Sequence, residues 1–285
     1  MSRSLVRSAA ALCFLIFGPG FHWLDDGLVA AAGPPNGGAP VVFVASDYGF
    51  TGPERIPAGV TTVQVVNKGQ DLHHIQLLQL LQGKTAEDFR AAMAADASKL
   101  PAWIRFVGGP NAVLPGSNSE ATMKLAEGEY LLICLIPDIK GVPHIALGMS
   151  RPLSVRGVKP TRVSEPKADV TITLADFRFA QSRPITAGSH TIEVVNHGSQ
   201  RHELVLVKLN PGTTAREFGA AVEPRGSAPP PGMPIGGVVG LESGAHAFFA
   251  ARFEPGNYGL ICFFPDPVTG KPHFMHGMTA DFVVK

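Results

Sequence analysis

Two cysteines at matched places carry the chemistry of this chain. Cys134 leads into His144 and Met149 as Cys-x9-His-x4-Met, and Cys262 leads into His273 and Met278 as Cys-x10-His-x4-Met. Upstream, His73 and His202 each stand six positions after an asparagine, Asn67 and Asn196. Two imidazoles, one thiolate and a weak thioether form the ligand set that selects a mononuclear electron-transfer copper. Thiolate and imidazole suit both copper oxidation states, and a distant Met sulfur leaves the geometry between their preferences. Little rearrangement then accompanies the gain or loss of an electron. The candidate ligand sets are His73, Cys134, His144 and Met149, and His202, Cys262, His273 and Met278.

The two sets belong to an internal repeat. An offset of 129 lays Asp47-Tyr48-Gly49-Phe50 on Asp176-Phe177-Arg178-Phe179, Val65-Val66-Asn67 on Val194-Val195-Asn196, and Thr85–Phe89 on Thr214–Phe218. The cysteines fall at an offset of 128, and the offset returns to 129 for Pro143-His144 and Gly148-Met149. The unit is far longer than a solenoid repeat, so it reads as a duplicated domain. β-rich runs at 41–45, 61–66, 74–80, 121–125 and 130–135 recur at 170–174, 190–195, 203–208, 247–253 and 258–263. Gly, Pro and Asn clusters separate them, as in a β-sandwich. One helix per unit is expected, at 85–95 and 214–222, with Thr85 and Thr214 as N-caps and Asp88 and Glu217 completing capping boxes. Residues 228–234, rich in proline, read as an irregular loop. The expected organisation is a signal peptide over 1–32, a first domain over 33–156, a linker over 157–168 and a second domain over 169–285.

A chain of 285 residues with 45% hydrophobic content can bury two cores, and 32 Gly with 25 Pro suit many short strands. A formal charge of +1 leaves no electrostatic footprint for nucleic acid. Arg3 and Arg7 precede an apolar run at 9–17, and Ala30-Ala31-Ala32 offers a cleavage site, which together read as a secretory signal. The intervening 18–29, with Asp25 and Asp26, is long and polar, which leaves the cut unfixed and an uncleaved anchor as the alternative. The run is short for a spanning helix of about 20 residues. The protein is expected to be periplasmic or secreted, with Cys13 discarded in the leader and no membrane contact beyond that signal.

These residues resemble the cupredoxin, or type 1 blue copper, family. Asn67 to His73 is similar to the Asn-x5-His entry of the plastocyanin copper site, and His-x3-Gly-Met at His144–Met149 and His273–Met278 to the end of the family's ligand loop. The long Cys-to-His gap is closer to the type 1 loop of copper nitrite reductases. The resemblance implies an all-β chain of two tandem Greek-key β-sandwich domains, each with one short inserted helix. It further implies one type 1 copper per domain, up to two per chain, and one-electron transfer through an exposed histidine ligand. A redox partner protein would dock transiently near that histidine, where Ile145, Ala146 and Leu147, with Phe274 and Met275, supply apolar surface.

Two departures stand out. Small blue copper proteins commonly carry Asn after the first His ligand, where it ties the two ligand loops together; this chain has His74 and Glu203 there. Ile133 and Ile261 precede the cysteines, where oxidases and nitrite reductases carry a bridging His, and the chain has no His-x-His. The sequence therefore reads as a non-enzymatic electron carrier. A periplasmic copper carrier or buffer, and a copper-free binding module, stand beside it, since buried Cys and Met also serve packing. His74, His190, His197 and His246 have no histidine counterpart in the other unit and read as surface or partly buried residues. His276 and Met275 line the mouth of the second site.

Overall fold

A computed structural model describes residues 39–96, 100–157, 164–222 and 229–285. The expected signal peptide and residues 158–163 of the expected linker lie outside the described residues. In the first unit the strands are β1 (Val41–Ser46), β2 (Gly49–Thr51), β3 (Arg55–Pro57), β4 (Gly59–Asn67) and β5 (Gln76–Leu80), followed by β6 (Ile104–Phe106), β7 (Asn118–Leu125), β8 (Gly128–Ile133) and β9 (Ser150–Arg156). In the second they are β10 (Val170–Ala175), β11 (Arg178–Gln181), β12 (Gly188–Asn196) and β13 (His202–Leu209), then β14 (Gly232–Leu241), β15 (His246–Phe253), β16 (Gly256–Ile261) and β17 (Thr279–Val284). Helix α1 (Ala86–Ala95) follows β5, and α2 (Ala215–Val222) follows β13.

Period-two burial shapes the outer strands. Val63, Val65 and Asn67 of β4 point inward with half-exposed Gln64 and Val66 between them, as Ile192, Val194 and Asn196 of β12 do around Glu193 and Val195. β5 is buried along its whole length, so both of its faces are covered. The order β3-β9-β8-β5-β6 forms one sheet, and β14-β13-β16-β17 forms its counterpart in the second unit. The opposing layer is shared: β11-β10-β12-β15-β7-β4-β1-β2 runs through both units as one sheet of eight strands. Each unit is thus a sandwich, with one hydrophobic core running across both. The all-β class and the one helix per unit are as the sequence predicts.

The units join through equivalent pieces. β7 meets β15, its repeat counterpart, with Thr122 opposite Phe248. Pro110 bridges Val238, the residue 128 positions on, so the join sits where an element faces its own copy. Phe106 stacks edge-on against Phe264 at 5.4 Å, and Gln76 Nε2 donates to Gly240 O at 3.2 Å, both across this join.

Both capping boxes form. Thr85 and Thr214 receive the N–H of Asp88 and Glu217 at 3.2 Å, and both carboxylates receive the threonine N–H at 2.8 Å. One loop expectation is corrected: Gly232–Pro234 belongs to β14. β14 ends its sheet, where a missing proline N–H leaves no ladder bond broken. A register shift beside Val207, the partner of Pro234, absorbs the misfit.

Candidate metal centre

Each unit assembles its site from four places. His73 lies just before β5, bridged to Val113, and His202 opens β13. Cys134 and Cys262 directly follow β8 and β16. His144 and His273 begin short 3-10 turns, ended by Gly148 and Gly277 at φ 98° and 100°. Glycine there lets the chain reverse into the methionines, whose amides bond His144 O at 2.9 Å and His273 O at 3.0 Å. The methionine carbonyls in turn receive the cysteine N–H groups at 3.3 Å. Met149 and Met278 are buried, and the backbone ties each to the Cys and the second His of its set.

His73, Cys134 and His144 bring one ligand atom each within 4.8 Å of one another, as do His202, Cys262 and His273. All six are buried. The two histidines and the cysteine of each predicted set thus come together, and each methionine is tied to its set through the backbone.

Hydrogen bonds fix which ring nitrogen faces inward. His73 Nε2 donates to Asp47 Oδ1 at 2.7 Å, and His202 Nε2 donates to Asp176 Oδ1 at 2.9 Å. Each carboxylate holds its ring in the tautomer that leaves Nδ1 as a bare lone pair. His73 Nδ1 is buried with no hydrogen-bond partner. In the second unit Gln200 Nε2 donates to Asp266 Oδ2 at 3.1 Å, so its Oε1 faces His273 Nε2 and accepts at 2.9 Å. His273 Nδ1 is then a lone pair as well. It lies 2.9 Å from His202 Nδ1, with Cys262 Sγ at 3.4 and 3.9 Å. Two converging lone pairs at that spacing repel unless a cation shares them.

Burial disfavours charge on both cysteines and on His144 and His273. It pushes the Cys134 thiol up to about 12 and, with the Glu203 carboxylate, the Cys262 thiol further still. It lowers His144 and, with neighbouring His202, holds His273 down to about 4. A cation displaces the thiol proton and supplies the charge the pocket lacks. These donors fit copper: two imidazoles, one thiol whose proton a cation would displace, and a buried methionine that the backbone ties to them.

The supporting residues went unread as such in the sequence. Asn67 and Asn196 do the same work in both units. Each Oδ1 accepts from the N–H two residues on at 2.9 Å, and each Nδ2 donates to the backbone O of Asp71 or Gln200 at 2.8 Å. That turn brings Gly69 and Gly198 against the His–Asp pairs. A Cβ on Gly198 would stand 2.5 Å from Asp176 Oδ1 and 2.6 Å from His202 Nε2. The repeat of Asp47 at Asp176 was the available signal for both carboxylates.

The loop tie expected of asparagine is made by other groups. His74 Nε2 accepts the Leu135 N–H at 2.9 Å, and Glu203 Oε1 accepts the Phe263 N–H at 3.0 Å. His74 is consequently buried, more fully than the surface or partly buried place expected for it, and burial holds it neutral, with its pKa down to about 3.

The exposed histidine is also corrected. His144 and His273 have 0% exposure. The aromatic residue of the turn after β1 or β10 covers each ring: Tyr48 at 4.7 Å from His144, Phe177 at 5.3 Å from His273. Gln200 caps the Nε2 edge of His273, whereas Asp71 Oδ2 lies 3.8 Å from His144 Nε2 and receives the Tyr48 hydroxyl at 3.2 Å. Phe274 turns inward onto α2, while Leu147 and Met275 remain exposed.

Among the described residues no helix is long and apolar enough to cross a membrane. No protein-family model and no curated protein matches the chain. Solved structures similar to it include auracyanin A, a "blue" copper protein from Chloroflexus aurantiacus, at 23% identity and TM-score 0.27, covering 41% of this chain and 99% of that one. The reduced auracyanin of Roseiflexus castenholzii gives 22% identity and TM-score 0.28, over 41% and 98%. A blue copper oxidase from Nitrosomonas europaea gives 15% identity and TM-score 0.23, over 86% and 76%.

Proposed function

We propose that this chain is an exported one-electron carrier with a copper centre in each unit, held by His73, Cys134, His144 and Met149 and by His202, Cys262, His273 and Met278. The observation that carries this reading is the pair of Nδ1 lone pairs 2.9 Å apart beside Cys262 Sγ, each fixed by a hydrogen bond at the far side of its ring. Bound copper would supply the gain and loss of one electron. The chain supplies a buried pocket that excludes water and rings that Asp47, Asp176 and Gln200 keep from turning. Such rigidity favours a site that changes charge without changing shape.

A redox partner would meet the ends of the ligand loops. Ile139 and Val268, at equivalent places between each Cys and His, are 71% and 87% exposed, with Leu147 and Met275 nearby in sequence. Apolar groups of this kind suit brief docking. A second reading, delivery of Cu(I) to another protein, draws on exposed Met275 and His276, soft donors beside His273. The test is the visible absorption and copper content of the mature protein after loading with Cu(II). An intense thiolate-to-copper band at two coppers per chain supports the reading, and stable reversible cycling separates carrier of electrons from carrier of copper. Absence of both band and bound copper overturns it.

A further inference from the structure

We propose that Asn111 couples the two candidate centres across the join, so that the state of one is felt at the other; this rests on the metal-binding reading above. Asn111 is buried, next to Pro110 where the first unit bridges Val238 of the second. Its Nδ2 donates to Leu204 O at 3.0 Å and Val238 O at 3.2 Å, with Glu203 Oε2 at 3.4 Å. Its Oδ1 accepts the Ala112 N–H at 2.7 Å, and two residues on Val113 exchanges backbone hydrogen bonds with His73 at 3.1 and 3.3 Å.

The surroundings of Asn111 make it more than an interface residue. His74 follows the candidate ligand His73, and Glu203 follows His202. Each of these two also holds the N–H of the residue after a candidate ligand cysteine. The links run His73, Val113, Ala112, Asn111, Glu203, Phe263, Cys262, every step a covalent neighbour or a hydrogen bond. His73 and Glu203 are buried too, and in a low-dielectric interior such a chain polarises and orients as a unit. The repeat places Val239 where a second Asn111 would stand, so one side chain serves both sites. Asn111 is a positioning residue for both ligand loops.

The experiment isolates each centre in the full chain. Cys262→Ser leaves only the first centre to report, and Cys134→Ser only the second. Glu203→Gln, made in Cys262→Ser, keeps shape while changing a second-unit group that contacts the first unit through Asn111. The expected result is a shifted charge-transfer band at the first centre and a change of roughly tenfold in its Cu(II) affinity, as supporting residues of metal sites typically give. Adding Asn111→Ala should abolish the Glu203→Gln effect, closing a double-mutant cycle. Gln76→Ala, which severs a different buried bond across the join, should leave the band in place. An unmoved band and affinity in Glu203→Gln overturn the proposal, and circular dichroism checks each fold. Should Asn111→Ala fail to fold, Glu203→Gln alone decides. A parent protein with no band and no copper overturns the metal-binding reading and the coupling with it; a parent with both, insensitive to Glu203, overturns the coupling alone.

Discussion

Gly198→Ala tests how tightly the second site is built. The added methyl would stand 2.5 Å from Asp176 Oδ1 and 2.6 Å from His202 Nε2, so a neighbour must retreat by about 1 Å. Forcing an extra carbon into packed surroundings costs roughly 1–3 kcal/mol. Breaking the bond between Asp176 and His202 adds about 1.5–3 kcal/mol, since one partner is charged. The expected loss is about 2.5–6 kcal/mol, which lowers the melting temperature on the order of 10 °C. With His202 free to turn, copper affinity at this site should fall roughly 10–100-fold. Thermal melts by circular dichroism and Cu(II) titration in a Cys134→Ser background give both numbers. Gly49→Ala is the control, because a Cβ there meets nothing within 4 Å. Were Gly198→Ala to melt and bind like its parent, the Asp–His pair would not be what orients the ring.

Cys134→Ser and Cys262→Ser should each remove one charge-transfer band and one bound copper while the far-ultraviolet spectrum stays the same. Thr85→Ala should cost about 1 kcal/mol through its capping box in urea unfolding and leave both bands untouched. Burial pushes Glu120, whose Oε1 has no partner, up to about 7. A carboxylate raised in the folded state binds its proton more tightly there than in the unfolded chain. Its contribution is therefore present below about pH 4.5 and lost as pH rises towards 7. Glu120→Gln should flatten that fall, gaining on the order of 1–3 kcal/mol relative to the parent at pH 8 over pH 5. Parallel stability curves for the two proteins would refute this.

Much of this site was legible because the repeat supplied a second sample of every position. Cys134 alone is an ordinary buried thiol; matched by Cys262, with His and Met in step, it became half of a ligand set. The same comparison located β4 and β12, whose inward side chains alternate over a long run. It failed for β3 and β6, three residues each, where alternation has no length in which to show. It failed again at β14, where glycine and proline imitate a loop because an end strand tolerates them. The burial of His144 and His273 had no signal near either histidine, since their covers, Tyr48 and Phe177, lie some 96 residues upstream. Asn111 was invisible for the opposite reason: lying at the join, it acts once for both units, and a repeat reveals only what occurs twice. His74 and Glu203 read as departures from the asparagine pattern. Their acceptor atoms perform the same loop tie, a substitution of groups that residue type alone conceals.

The join between β7 and β15 has a further meaning in terms of mass action. An element meeting its own copy is the geometry by which identical subunits form two-fold dimers. Such dimers come apart on dilution, and any property that needs both halves fades with them. Here a short peptide segment holds the copies together at an effective concentration on the order of millimolar, whatever the amount of protein in solution. One-to-one pairing of the two sites therefore persists at any dilution. Covalent linkage also frees the two halves to differ, as Tyr48 and Asp71 already differ from Phe177 and Gln200.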